Sequence, residues 1–106
     1  EIILKENILI SSVTFWEISI KFNKGTLDLL GKTPTDIRNI CFNNLHFSSL
    51  DLDCEIASSQ YQLSNNHHRD PFDRMLIWQA LQKDLTLITN DVNINQYQDI
   101  GLKVLW

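Results

Sequence analysis

Asp70-Pro71-Phe72-Asp73-Arg74-Met75-Leu76-Ile77-Trp78-Gln79-Ala80, followed shortly by Leu87-Ile88-Thr89-Asn90-Asp91, decides how this chain reads. Pro71 has no N–H to lose and its fixed φ suits a first helical turn, while Asp70 before it offers a carboxylate to the unpaired N–H groups of that turn. A helix over 72–83 follows. Phe72, Met75, Leu76, Ile77, Trp78, Ala80 and Leu81 fall on nearly every side of it, more apolar surface than a half-exposed helix carries, so it should be deeply packed. The β-branched and apolar run 86–89, bounded by Asp84 and by Asn90-Asp91, predicts a central strand. Carboxylates then stand at two element ends, Asp73 in a first helical turn and Asp91 just past a strand, which is where open α/β sheets present ligands. Clusters of this kind usually hold hard cations.

A second block is Ile10-Ser11-Ser12-Val13-Thr14-Phe15-Trp16-Glu17-Ile18-Ser19-Ile20-Lys21, followed by Lys24-Gly25-Thr26-Leu27. Glu17 lies three residues after Thr14, the spacing of a capping box in which the carboxylate bonds the Thr14 backbone N–H at a helix start. Between the blocks the chain reads as helices and connectors. Thr33 is a natural N-cap with Pro34 at the first helical position and Asp36 in the first turn, predicting a helix to about Asn44. Asp53 can cap another, running through Ile56, Ala57, Gln60 and Tyr61 toward Leu63, with 64–68 a loop into the acidic helix start. Neither a repeat nor a low-complexity tract nor a linker is visible, so residues 1–106 read as one domain.

The chain has 106 residues, and a domain of this size buries only about two-thirds of its unfolded surface, so its stability is marginal. A formal net charge of −4 gives no basic footprint of the kind that binds nucleic acid non-specifically. Cys41 and Cys54 lack metal-ligand or redox spacing, which points to buried free thiols and a reducing compartment. Apolar runs fall short of the roughly 18 residues of a membrane span, and with no signal peptide visible the expectation is a soluble cytoplasmic protein with no membrane partner.

Both blocks, in this order and spacing, resemble the PIN domain, and specifically the VapC-like ribonuclease toxins of type II toxin–antitoxin pairs. There a His-Arg-Asp-Pro-Phe-Asp-Arg run, here His68 to Arg74, precedes a Leu-Ile-Thr-x-Asp strand, and a Ser-x-x-Ser-x-Trp-Glu-Ile-x-x-Lys helix precedes Gly-x-Leu. The resemblance extends from about Ile8 to Val104-Leu105. It implies an α/β fold with a central parallel sheet flanked by helices, and a metal-dependent endoribonuclease using Mg²⁺ or Mn²⁺. Glu17, Asp73 and Asp91 take the places of the family's metal-binding, catalytic carboxylates. Asp70 is a further candidate ligand whose simpler role is to cap, and Asp91, taken without the resemblance, is a turn or N-cap residue opening a helix over 93–97. Thr89 and Asn90 could hydrogen-bond a ligand carboxylate.

Lys21, Arg69 and Arg74 could meet RNA phosphates, a solvated surface charge being the plainer reading of each. His67 and His68 are adjacent and flanked by asparagines, so they suit an exposed loop better than a convergent site. Trp16, Trp78 and Phe72 read as core rather than as stacking platforms for bases. The resemblance further implies a homodimer silenced by a cognate antitoxin. The family's opening strand, which bears its first catalytic aspartate, and the helix after it are not found ahead of Glu1, so the chain is expected to be N-terminally truncated. The alternative function is therefore a catalytically inactive PIN fragment that keeps only oligomer or antitoxin contacts.

Overall fold

The structure, a computed structural model, describes residues 7–63, 70–89 and 91–105, with the backbone alone for Val92 and Asn95. The loop expected over 64–68, with His67 and His68, and the candidate residues Arg69 and Asn90 lie outside the described residues. The chain forms two compact units, Glu1–Asp51 and Leu52–Trp106.

The first unit contains β1 (Leu9–Ser11), α1 (Ser12–Asn23), α2 (Pro34–Asn39) and β2 (Ser48–Leu50). β1 and β2 run parallel, with Leu9 opposite Ser48 and Ser11 opposite Leu50. The Ser48 N–H extends the ladder by donating to the Ile8 carbonyl at 2.9 Å. Parallel neighbours cannot be joined by a tight hairpin, so α1 and α2 serve as the crossover. The sequence reading had only helices and connectors here. Strands this short, built partly from serine, carry too little alternation to be seen and owe their existence to pairing with each other.

α1 starts earlier than the Thr14–Glu17 spacing suggests. The Ser11 hydroxyl accepts from the Val13 N–H at 3.1 Å, so Thr14 already lies inside the helix and Glu17 is not its capping-box partner. Ser and Thr compete for this role, and the residue whose backbone is still extended wins it. At α2 the expected cap is present: Thr33 N–H donates to Asp36 Oδ2 at 2.8 Å and Asp36 N–H donates to Thr33 Oγ1 at 3.2 Å. The helix continues as a wider π-type turn over Ile40–Asn44, which gives the predicted end. Val13 and Cys41 are buried, and Phe15 meets Phe42 edge-on with ring centroids 5.6 Å apart. Trp16, expected in the core, is 60% exposed.

The capping box has a pH signature. The Thr33 backbone N–H, then the Thr33 side chain, and then the charge of Lys32 hold the exposed Asp36 carboxyl below its ordinary range. A lowered folded-state value means that the stabilisation is complete above about pH 4 and is lost as pH falls through the lowered value. Urea unfolding should therefore show the stability difference between the wild type and Asp36→Ala narrowing on acidification to pH 3. Thr33→Ala should cost about 1 kcal/mol at neutral pH.

The second unit contains α3 (Cys54–Ser59), α4 (Pro71–Lys83), β3 (Thr86–Ile88), α5 (Val92–Asn95) and β4 (Lys103–Leu105). Asp53 caps α3 by accepting from the Ile56 N–H at 2.8 Å, as expected. α4 begins at Pro71 and ends at Asp84, which takes the left-handed conformation with φ of 54°. Its middle is the centre of a core: Ile77, Trp78 and Ala80 pack with Ile56, Leu63, Ile94, Tyr97 and Leu102. Deep packing of this helix is thus confirmed. Leu85 N–H returns to the Ala80 carbonyl at 2.9 Å and leads directly into β3.

β3 and β4 are parallel, Thr86 opposite Lys103 and Ile88 opposite Leu105, and Thr89 N–H adds a bond to the Leu105 carbonyl at 3.1 Å. Among the described residues β4 is the only ladder neighbour of β3, and Thr86 and Ile88 are exposed while Leu87 turns inward. The expected central strand is therefore one-faced here. An apolar, β-branched run reports fitness for a strand but not how many neighbours it has. Cys54, at the exposed start of α3, departs from the expectation of buried thiols, whereas Cys41 meets it. The α/β class holds, with one parallel ladder in each unit. Among the described residues no helix is long and apolar enough to cross a membrane.

Candidate functional site

Glu17 sits in the middle of α1, its side chain only 18% exposed, and its Oε2 accepts from Lys21 Nζ at 2.7 Å. The spacing of four residues, with the acid toward the N-terminus, is the favourable orientation for a helical ion pair. As a helix staple alone such a pair contributes about 0.3–0.5 kcal/mol. The lysine side chain is 49% exposed and stands in the last turn of the helix, where the carbonyl ends favour a cation. Its main chain is pinned, because the Thr26 N–H and Oγ1 donate to the Lys21 carbonyl at 3.0 and 3.1 Å.

Asp70, Asp73 and Asp91 belong to the second unit. Asp70 is the N-cap of α4, its Oδ1 accepting from the N–H groups of Phe72 at 2.9 Å and Asp73 at 3.3 Å. This realises the simpler of its two readings. Asp73 follows in the first turn, where the helix dipole favours a negative charge. Asp91 caps α5, its Oδ1 accepting from the Asn93 N–H at 2.9 Å, while its own N–H donates to Thr89 Oγ1 at 3.1 Å. Thr89 thus holds the main chain of Asp91, not its carboxylate. The hydroxyl fixes the turn that aims the acid as the chain leaves β3.

Arg74, expected to meet phosphate, sends Nη2 to the Leu63 carbonyl at 2.8 Å. It thereby ties the end of the turn after α3 to the start of α4. Phe72 is half-buried and Trp78 is buried, its indole Nε1 donating to Ser59 Oγ at 3.0 Å, so the core reading holds for Trp78. The sequence reading missed the Glu17–Lys21 pair, although the spacing of four was there to be seen.

A family model described as the PIN domain matches residues 1–100. The chain belongs to the PIN domain family. No curated protein sequence matches it. PIN domains are in general nucleases, and their nucleases generally depend on divalent metal.

The donors of this PIN domain suit such an ion by their chemistry. Mg²⁺ and Mn²⁺ take hard oxygen ligands, which carboxylates supply. A carboxylate has about four acceptor positions on its two oxygens, of which the cap bond at Asp91 Oδ1 takes one. Among the described residues, no group of three His, Cys, Asp or Glu side chains stands ready-made to hold a metal.

Proposed function

We propose that this PIN domain is a metal-dependent endoribonuclease of the VapC-like toxin type. The observation that carries the reading is the family match over residues 1–100, joined to acidic residues at the places the two motif blocks assign. Glu17, Asp73 and Asp91 are the ligands proposed for Mg²⁺ or Mn²⁺, with Asp70 a further candidate. A bound ion of this kind polarises a phosphoryl oxygen and makes a water nucleophilic at neutral pH. Asp73 and Asp91 are each set at the beginning of a helix, so their charge is placed by backbone geometry rather than by long flexible stems. Thr89 fixes the Asp91 backbone, and Asn90 would hydrogen-bond a ligand carboxylate or a metal-bound water. Lys21, Arg69 and Arg74 would supply positive charge to substrate phosphates in a chain whose net charge is −4. A second copy of the chain and a cognate antitoxin are the partners that the VapC-like reading brings with it.

The test is hydrolysis of three substrates by one preparation: a single-stranded RNA oligonucleotide, its DNA counterpart and p-nitrophenyl phosphate, each with Mn²⁺ and with excess chelator. Internal cleavage of RNA alone, abolished by the chelator, is the expected result. Cleavage of DNA or of the small ester at equal rate overturns the ribonuclease assignment. Cleavage that survives the chelator overturns the role of the ion.

A further inference from the structure

Glu17 is a carboxylate largely withdrawn from water, and in the structure its charge is met by Lys21 at 2.7 Å. A carboxylate in that position needs a compensating cation. Lys21 provides one from a stem that is half exposed, while its backbone is locked by Thr26. The main chain at the end of α1 is thus held independently of the ammonium. Two cations cannot both take Glu17 Oε2 at close range, because an ammonium within a few ångströms of a divalent ion is strongly repelled.

We propose that Lys21 is a yielding counter-ion, which neutralises Glu17 when no divalent ion is held and gives the carboxylate up when one is. It is a positioning residue, acting through Glu17. The pair keeps the glutamate in one rotamer and stops its uncompensated charge from destabilising α1, and it lowers the affinity of the site for metal by the work of displacing the ammonium. Once displaced, the same ammonium is available to a substrate phosphate. This rests on Glu17 being a metal ligand, as proposed above, and adds that the site competes internally for its own ligand.

Opposite signs separate this from a mere helix staple. Loss of a staple loosens α1 and weakens whatever Glu17 binds, whereas loss of a competing cation strengthens it. Calorimetric titration of Mn²⁺ into the wild type, Lys21→Met, Lys21→Arg, Glu17→Gln and the Glu17→Gln/Lys21→Met double variant makes the distinction, with far-UV circular dichroism to verify the fold. Lys21→Met keeps the apolar stem and removes the charge, and Lys21→Gln replaces it if that variant does not fold.

Lys21→Met should bind Mn²⁺ about three- to thirtyfold more tightly than the wild type, Lys21→Arg should match the wild type, and the gain should vanish when Glu17 is already Gln. Unchanged or weaker binding by Lys21→Met overturns the counter-ion role while leaving the metal site standing. Mn²⁺ binding by Glu17→Gln equal to that of the wild type, or no binding by both the wild type and Lys21→Met, overturns the site assignment itself.

Discussion

Asp91→Asn should reduce RNA cleavage by more than about 100-fold, the upper end for losing a residue that merely supports a metal ligand, while leaving the fold intact. The substitution is informative because Asp91 has a structural use that Asn can take over. Its Oδ1 accepts from the Asn93 N–H at 2.9 Å, and an amide oxygen does this nearly as well as a carboxylate, Asn and Asp being equivalent helix caps. The bond from the Asp91 N–H to Thr89 Oγ1 belongs to the backbone and survives. The substitution removes the charge and keeps the cap. The urea midpoint should therefore stay close to the wild-type value, within about 0.5 kcal/mol in unfolding free energy. If an active preparation kept its rate after Asp91→Asn, Asp91 would be a cap and nothing more, and the assigned ligand set would be wrong.

The cap at Asp91, beneath the ligand role proposed for it, explains why the site was only partly legible. Asp70, Asp53 and Thr33 could each be read as caps because the required geometry is local: an acceptor, an extended backbone and N–H groups two or three residues on. Pro71 and Pro34 sharpened the readings at α4 and α2 by marking the first helical turn. Asp91 also looked like a cap, and is one, so nothing in its spacing could reveal a second role. Resemblance to a family, not local chemistry, singled it out. Glu17 shows the converse error. Its distance from Thr14 fitted a capping box, yet the structure caps α1 one turn earlier, on Ser11, and gives Glu17 to Lys21.

The strands were lost for a different reason. β1 and β2 have three residues each, and Ser48 and Ser49 have little strand preference, so their conformation is decided by a partner more than thirty residues away. No local pattern encodes that pairing. Trp16 failed because α1 spreads its apolar residues, Val13, Phe15, Trp16, Ile18, Ile20 and Phe22, over more than one face, with Thr14, Glu17 and Lys21 between them. Without a single apolar stripe, periodicity does not say which apolar residue turns inward, and Val13 is buried while Trp16 stands out in solvent. α4 is apolar all round, but there the prediction needed only depth, and its middle turn, Ile77 to Ala80, is buried without interruption.

Trp78→Ala should have the largest effect on stability, about 3–5 kcal/mol, against the roughly 5–15 kcal/mol that holds a typical domain together. Trp78 is buried in the middle of α4, within the cluster that joins α3, α4 and the segment around Tyr97. Truncation opens a cavity the size of an indole among neighbours held by a continuous helix, so the void collapses only in part. The hydrogen bond to Ser59 is the smaller share. Trp78→Phe forfeits it but keeps most of the ring, and the Ser59 hydroxyl retains its bond to the Glu55 carbonyl at 2.8 Å, so no partner is stranded on the serine side. Ser59→Ala instead takes the acceptor away from the indole N–H, which costs about 1–3 kcal/mol where water cannot replace it. Equilibrium urea unfolding should thus rank the losses with Trp78→Ala well above both Trp78→Phe and Ser59→Ala. A loss below about 1 kcal/mol for Trp78→Ala would mean that α4 is not the core of its unit. Because α4 begins on Asp70 and Asp73, Trp78→Ala should also abolish RNA cleavage, but by melting the element that presents the acids. Activity lost together with the folded baseline is the mark of Trp78, and activity lost from a fully folded protein is the mark of Asp91.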